Sequence, residues 1–119
     1  MFRLACILLS LSLFTLSAQN AVVSGRVNDS SQAVVQGATV KITNTRTNIV
    51  NQTTTNSEGY YALPPLSPGE YSLTASAAGF KESRVDNIVL EIGQQRVIPV
   101  TLQPGDLKES ITISEDAPL

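Results

Sequence analysis

The stretch GYYALPPLSPGEYSL, residues 59–73, decides the fold of this 119-residue chain. Tyr61 and Leu63 alternate with other residues before a proline-rich corner, and Tyr71 and Leu73 do the same after it. A period of two predicts a strand with one buried face, so each pair marks a short strand. All four side chains are therefore predicted to point into a core.

The proline-rich corner between these strands predicts how the chain changes direction. Leu66 lies in the middle of the corner and is predicted to drop into the core there. Pro68 and Gly69 predict a tight turn that reverses the chain between the two strands. Proline presets φ near the value such a turn needs, and glycine accepts positive φ without a steric penalty.

Three segments toward the amino terminus alternate in the same way and predict strands over residues 23–27, 38–43 and 49–55. The third is rich in threonine, which suits an exposed or edge position. Polar clusters at residues 28–31 and 44–48 predict the loops that follow the first two strands. The residues predicted to face inward are Val23, Val27, Ala38, Val40 and Ile42.

The pattern changes after Leu73. Residues 74–77 are small or polar and are predicted to prolong the strand. Gly79 then bends the chain, and Phe80 is predicted to fold back as a plug against the core. Residues 81–84 carry three charged side chains and are predicted to be solvated.

Two more strands are predicted over residues 85–92 and 96–102. Pro99 has no N–H to donate to a ladder, so its position should face an edge or solvent. The inward-facing residues of these strands are predicted to be Ile88, Leu90, Ile92, Ile98, Val100 and Leu102. Seven short strands at regular spacing, with no helical period, are typical of an all-β antiparallel sandwich.

Residues 1–18 have the three-part layout of a secretory signal peptide: a positive charge at Arg3, an apolar run and small residues at its end. Cleavage is predicted after Ala18, with Ser17 and Ala21 as alternatives. A membrane anchor is the competing interpretation. A spanning helix needs about 20 predominantly apolar residues, however, and this run is shorter and interrupted by serines. The chain is therefore predicted to be exported.

Cysteine and histidine are informative by their absence. The only cysteine, Cys6, lies inside the predicted signal peptide, and the chain has no histidine. The mature chain is thus predicted to lack disulfides and thiolates, Ser-His-Asp or Cys-His catalysis, and zinc sites built on histidine or cysteine. The formal net charge of −2 argues against a nucleic-acid partner, which would require a basic patch.

The order of motifs across the chain resembles the carboxypeptidase regulatory-like domain. Gly37-Ala38-x-Val40 is followed by GxYxLxxLxPGxYxL from Gly59 and then by Gly79-Phe80. This resemblance implies a seven-stranded, Greek-key β-sandwich of the transthyretin or prealbumin type over residues 22–103, grouped with the carbohydrate-binding-like folds. The residues on which folding is predicted to depend are Gly37, Val40, Ile42, Gly59, Tyr61, Leu63, Leu66, Pro68, Gly69, Tyr71, Leu73, Gly79 and Phe80.

The wider arrangement resembles the amino-terminal end of the Oar-like, TonB-dependent outer-membrane receptors of bacteria. A signal peptide and this domain are followed by a linker and strand-like tail over residues 104–119. The plug and barrel of such receptors are not in this sequence, since even a small barrel needs about eight strands of 9–11 residues. Two interpretations stay open: a truncated receptor, or a free-standing domain of the periplasm or cell surface of a Gram-negative bacterium.

The tail contains the first candidate binding site. Glu109, Ser110, Ile111, Thr112 and Ile113 resemble a TonB box, the extended segment by which such receptors pair with an energy-transducing protein. The resemblance implies a TonB-type periplasmic protein, or the receptor barrel, as partner and β-strand addition as the binding mode. A further strand of the domain's own sheet and a plain linker are the two alternatives.

Tyr60 is the second candidate, for carbohydrate. Sugar platforms need exposed aromatic faces, and the period of two sends Tyr61 and Tyr71 inward but Tyr60 outward. No enzyme, catalytic residue, metal site or cofactor is predicted, because the acidic side chains fall in predicted turns or at solvent-facing positions. Their ordinary role there is solubility.

Overall fold

The computed structural model describes residues 19–105 and 110–114, which contain nine β-strands and no helix. The strands are β1 (Val22–Asp29), β2 (Thr39–Asn44), β3 (Val50–Thr54), β4 (Tyr60–Ala62), β5 (Gly69–Ser76), β6 (Glu82–Leu90), β7 (Gln95–Val97), β8 (Val100–Leu102) and β9 (Ser110–Ser114). The predicted signal peptide lies outside the described residues, within which no helix has the length and apolarity to cross a membrane.

The strands form two sheets that pack face to face around one core. In the smaller sheet, β1 lies at the centre, with β4 antiparallel on one side and β7 and β8 parallel on the other. The larger sheet has the order β3-β2-β5-β6-β9, in which β9 alone runs parallel to its neighbour. The predicted all-β sandwich is confirmed, and β3 occupies the edge position that its threonines indicated.

The prediction of seven antiparallel strands is wrong in number and in direction. Pro99 divides the predicted last strand into β7 and β8, because a proline cannot donate to the ladder with β1. The tail adds β9, so the described residues contain nine strands rather than seven. Both sheets are mixed rather than antiparallel. The sequence did not predict this, because a period of two identifies a strand but contains no information on the direction of its neighbour.

The corner over residues 63–68 is not the predicted tight turn. β4 belongs to the smaller sheet and β5 to the larger one, so the corner carries the chain from one sheet to the other. Leu66 is buried, as predicted. Its amide and carbonyl groups exchange hydrogen bonds of 2.9 and 2.7 Å with those of Ala21. The prolines favour this extended crossing, because they restrict φ to values compatible with an extended chain.

The core confirms most of the predicted inward positions. The buried residues that were predicted are Val23, Val27, Ala38, Val40, Ile42, Tyr61, Leu63, Leu66, Tyr71, Leu73, Ile88, Leu90, Ile98, Val100 and Leu102. Phe80 is partly buried and packs against this cluster. Ile92 is an error: it is 64% exposed, because β6 ends at Leu90 and the chain turns immediately afterwards.

The start of β6 differs from the predicted solvated loop. β6 begins at Glu82, and its second residue, Ser83, is buried. An irregularity follows in the pairing with β5, where Val85 and Ile88 lie opposite Leu73 and Tyr71. Asn87 has a φ of 59° at this point. Both apolar residues of β6 therefore face the core although they are three positions apart, which a strict period of two does not anticipate.

Candidate functional site

Two surfaces carry the residues that the sequence singled out. The first, the Tyr60 face, is the outer side of the smaller sheet and consists of Ser24, Arg26, Tyr60, Val97 and Pro99. The second, the β9 edge, is the outer edge of the larger sheet formed by Ser110–Ser114. Glu109, the first residue of the TonB-box-like segment, lies outside the described residues.

Tyr61 positions the Tyr60 face from the inside of the sheet. Its ring crosses β1 at Gly25, and its hydroxyl donates a 2.6 Å hydrogen bond to the carbonyl of Ile98. A Cβ at position 25 would lie 2.1 Å from that carbonyl oxygen and 2.7 Å from the Tyr61 hydroxyl, so only glycine fits. Burial raises the pKa of the Tyr61 phenol well above its ordinary value, so the hydroxyl remains a hydrogen-bond donor.

Tyr60 points the opposite way, and 48% of it is exposed. The guanidinium carbon of Arg26, its cross-strand neighbour on β1, lies 5.1 Å from the centre of the Tyr60 ring. This distance is within the range of a cation–π interaction. The Nε of Arg26 also donates a 3.1 Å hydrogen bond to the carbonyl of Glu58. The contact and the hydrogen bond together hold the Arg26 side chain against the ring.

Apolar side chains continue the Tyr60 face toward the other edge of the sheet. Val97 is 69% exposed and Pro99 is also exposed. With Tyr60 and Arg26 they line a shallow concavity of about 360 Å³ whose floor is formed by β1. Such a surface offers an aromatic ring, aliphatic contacts and a cationic donor. It can therefore bind a flat, partly apolar ligand with hydroxyl or acidic groups.

The β9 edge has a defined register on the larger sheet. Ile111, Thr112 and Ile113 lie beside Ser83, Arg84 and Val85 of β6, respectively. Ile111 and Ile113 therefore share the inner side of the sheet with buried neighbours, yet they are 37% and 54% exposed. Within residues 19–105 and 110–114, no strand pairs with the far side of β9. Residues 110–114 thus form the edge strand of the larger sheet, a position from which an extended partner segment could pair with them.

A second concavity, of about 180 Å³, lies between the 44–48 loop and the corner. The side-chain oxygen of Asn44 accepts hydrogen bonds from the amides of Arg46 and Thr47, at 2.9 and 3.1 Å. The hydroxyl of Tyr71 donates a 2.6 Å bond to the carbonyl of Ser67. Because these groups bond to the protein's own backbone, the concavity is explained by the folding of the loop and the corner.

Two acidic side chains of the described ranges, those of Asp29 and Asp86, make contacts within the domain. No group of three or more histidine, cysteine or acidic side chains in those ranges could hold a metal ion. The carboxylate of Asp29 accepts hydrogen bonds from the hydroxyl and amide of Ser31 and from the amide of Ala33. The Ser31 hydroxyl is the main cause that lowers the pKa of Asp29 from its ordinary value. Asp86 pairs with Arg84 at 2.7 Å.

Three residues that form or support the Tyr60 face were not predicted from the sequence: Gly25, Arg26 and Val97. Gly25 gave no signal, because its role depends on a tyrosine 36 positions away crossing the strand. The neighbourhood of Arg26 and Tyr60 depends on the pairing of β1 with β4, which alternation alone does not reveal. Val97 could have been found, because an inward Ile98 implies an outward Val97.

The two mixed sheets, the single core and the exposed aromatic and edge sites define a small β-sandwich domain of the transthyretin-like type. The family follows from the sequence itself. Residues 22–103 match the model of the carboxypeptidase regulatory-like domain, and the chain therefore belongs to that family. A comparison with curated protein sequences finds no match.

Solved structures with similar folds come from proteins of different activities. A cohesin–X-dockerin complex of Acetivibrio cellulolyticus matches at a TM-score of 0.58 and 24% identity, covering 72% of this chain and 59% of the other. A Bacteroides uniformis protein provisionally called carbohydrate-binding matches at 0.58 and 16%, covering 71% and 42%. The 5-hydroxyisourate hydrolase of Klebsiella pneumoniae matches at 0.55 and 24%, covering 71% and 92%.

These likenesses establish the fold and not an activity, since identities at this level are compatible with unrelated functions. The chain spans 59% of the length of the cohesin–dockerin chain it matches and 42% of the Bacteroides protein.

Proposed function

We propose that this chain is an exported, non-catalytic interaction module and forms the amino-terminal extension of a TonB-dependent outer-membrane receptor. The observation that carries the proposal is the β9 edge. A strand with alternating isoleucines lies at the end of a sheet, and its outer backbone groups have no strand partner within residues 19–105 and 110–114. The predicted signal peptide supports export to the periplasm or outer membrane.

Strand addition is the binding mode that suits this edge. An extended partner segment would receive main-chain hydrogen bonds from β9, and alternate side chains would supply specificity. The proposed segment begins at Glu109 and continues through Ser110, Ile111, Thr112 and Ile113, and its partner is a TonB-type periplasmic protein. The rigid sandwich would hold this segment extended before binding, which lowers the entropic cost of association.

An NMR titration tests the partner. Isotope-labelled protein is titrated with the carboxy-terminal domain of a TonB-type protein, and the amides of Ile111 to Ile113 are expected to shift or broaden. A Tyr60→Ala variant is the matched control, since it alters the other candidate surface and should bind equally well. Unchanged Ile111 to Ile113 amides at saturating partner would refute the TonB-box assignment.

The genomic context tests the receptor origin. An open reading frame that continues past the codon for Leu119 into segments of alternating hydrophobicity would support the receptor. A stop codon followed by unrelated sequence would contradict it and favour a free-standing domain.

Carbohydrate binding at Tyr60 is the second candidate function. It is favoured by the half-exposed ring, the guanidinium stacked on it and the apolar groups beside it. Isothermal titration with common polysaccharides tests this candidate. Tyr60→Ala should abolish the heat of binding, whereas Tyr60→Phe, which keeps the ring, should retain most of it. Absence of heat with the wild-type protein would eliminate this candidate.

A further inference from the structure

Residues 110–114 read Ser-Ile-Thr-Ile-Ser, which is the same sequence in both directions. This palindrome forms β9, which has no strand on its outer side within residues 19–105 and 110–114. We infer that β9 pairs antiparallel with β9 of a second copy of the chain, about a twofold axis through Thr112, so that the two larger sheets become one continuous sheet. The inference does not depend on the proposed function, because it requires no other protein.

The register follows from the side-chain pattern. Residues that lie opposite each other in an antiparallel pair share a face of the sheet, so a twofold axis between identical strands must pass through a residue. With the axis at Thr112, Ile111 lies opposite Ile113 of the second copy, and Ile113 lies opposite its Ile111. An axis at Ile111 or Ile113 leaves one isoleucine of each copy opposite a residue outside the palindrome. Thr112 is therefore the favoured centre.

The exposure of the two isoleucines supplies the driving force. Ile111 and Ile113 lie on the inner side of the sheet, beside Ser83 and Val85, which are both buried. Their own exposed fractions of 37% and 54% show that the smaller sheet covers them only in part. Pairing two copies brings four isoleucines into one apolar strip. Cross-strand pairs of β-branched residues are stabilising in such positions.

The edge also lacks the usual protection against self-association. Natural edge strands are commonly blocked by lysine, proline or a bulge. The segment from Ser110 to Ser114 contains no lysine or proline, and its pairing with β6 is regular. A twofold arrangement is the commonest form of homo-oligomer because the same surface serves both copies. Five residues per strand bury little area, so we expect a weak dimer with a Kd on the order of 100 µM.

A charge substitution at Thr112 distinguishes this dimer from one in which two copies exchange their β9 strands. Thr112 lies beside Arg84 within its own chain but opposite Thr112 of the second copy in the inferred dimer. Thr112→Glu therefore keeps β9 docked on β6 through Arg84, while it places two like charges opposite each other at the dimer axis. Thr112→Val, a β-branched residue of nearly the same shape, is the matched control.

Sedimentation equilibrium of the purified protein over a range of concentrations is the measurement. The wild type and Thr112→Val should dimerise, and Thr112→Glu should associate at least tenfold more weakly. Circular dichroism of each variant confirms that the sandwich remains folded.

Two results would overturn the inference. A wild-type protein that stays monomeric at about 1 mM, tenfold above the expected Kd, has no such interface. A Thr112→Glu variant that dimerises as well as the wild type would indicate exchange of β9 between the β6 strands of two copies, where the glutamate would still lie beside Arg84. Both results are independent of any TonB-type partner, which is absent from the experiment.

Discussion

Each of the two sheets holds one buried tyrosine whose hydroxyl donates a 2.6 Å hydrogen bond to a backbone carbonyl, but the two bonds span different distances along the chain. Tyr61 of the smaller sheet reaches Ile98, 37 residues away, whereas Tyr71 of the larger sheet reaches Ser67, four residues away. Tyr61 thus ties β4 across β1 to the break between β7 and β8, while Tyr71 holds the corner next to its own strand. The buried tyrosine of the smaller sheet therefore makes a long-range contact, and that of the larger sheet a local one.

The outer faces of the sheets differ as well. The smaller sheet exposes Tyr60 and Val97 in one concavity, whereas the larger sheet exposes Val50 and Val89 on separate strands, β3 and β6, with Lys41 and Thr74 on the strands between them. Exposed aromatic and apolar groups in one patch indicate a binding surface, while hydroxyl and charged groups keep a sheet face soluble. The face of the smaller sheet and the β9 edge of the larger sheet are therefore the surfaces to test for binding.

Removing the Tyr71 ring should produce the largest loss of stability. Tyr71→Ala is expected to lower the free energy of unfolding by about 3–5 kcal/mol, because it leaves a cavity in the core and removes the bond to Ser67. Chemical denaturation measures this change. A loss below about 1 kcal/mol would mean that the larger sheet does not depend on the ring.

Adding a side chain at Gly25, where the Tyr61 ring crosses β1, should have the next largest effect on stability. Gly25→Ala is expected to cost about 2–3 kcal/mol, because the added methyl group collides with the Ile98 carbonyl and the Tyr61 hydroxyl. Gly37→Ala is the matched control: a Cβ there meets nothing within 4 Å, and only the positive φ of 72° opposes it. Equal losses for the two variants would show that the crossing is not tightly packed.

Removing only the Tyr61 hydroxyl should cost about 1 kcal/mol at neutral pH, the usual contribution of one hydrogen bond. The dependence of stability on alkaline pH provides a second test of the buried Tyr61 hydroxyl. Since burial raises the pKa of Tyr61 above 10.0, the unfolded chain loses this proton at lower pH than the folded one. The contribution of Tyr61 to stability is constant below pH 10 and falls by up to about 1.4 kcal/mol per pH unit above it.

Denaturation of the wild type, Tyr61→Phe and Tyr71→Phe between pH 7 and 11.5 checks this alkaline signal. Tyr61→Phe should lack the part of the decline that Tyr61 causes, and Tyr71→Phe should retain it. The same alkaline slope in wild type and Tyr61→Phe would contradict the assignment.

The exposed ring of the smaller sheet should matter least for stability. Tyr60→Ala is expected to change the free energy of unfolding by about 0.5 kcal/mol, because a surface cation–π contact contributes little. The same denaturation assay measures it. A loss comparable to that of Tyr71→Ala would place the Tyr60 ring in the core and remove the Tyr60 face as a binding surface.

Much of the core could be predicted from the sequence, because burial follows from local alternation. Val40, Ile42 and Leu73 were placed correctly without knowledge of their partners. The errors arose where a strand ends or where a bulge shifts its alternation, because neither event can be predicted from the neighbouring residues. Ile92 continues the pattern of β6 beyond its end, and the bulge near Asn87 shifts the phase of the strand.

The candidate sites show the same limit. Tyr60 was predicted to face outward and does so, but its contact with Arg26 depends on which strands pair. Residues 110–114 were recognised as strand-like, yet their docking on β6 was one of several alternatives. A short alternating segment fits any open edge, so its own residues do not select one.

The sequence by itself determined which side chains are apolar and how they alternate, which family motif the chain carries and which catalytic residue types it lacks. Only the tertiary structure decided the directions of the strands, the crossing of the corner between the sheets and the position of β9 beside β6. The physical reason is that alternation acts between neighbouring residues, whereas pairing depends on backbone hydrogen bonds and packing between segments far apart in the chain.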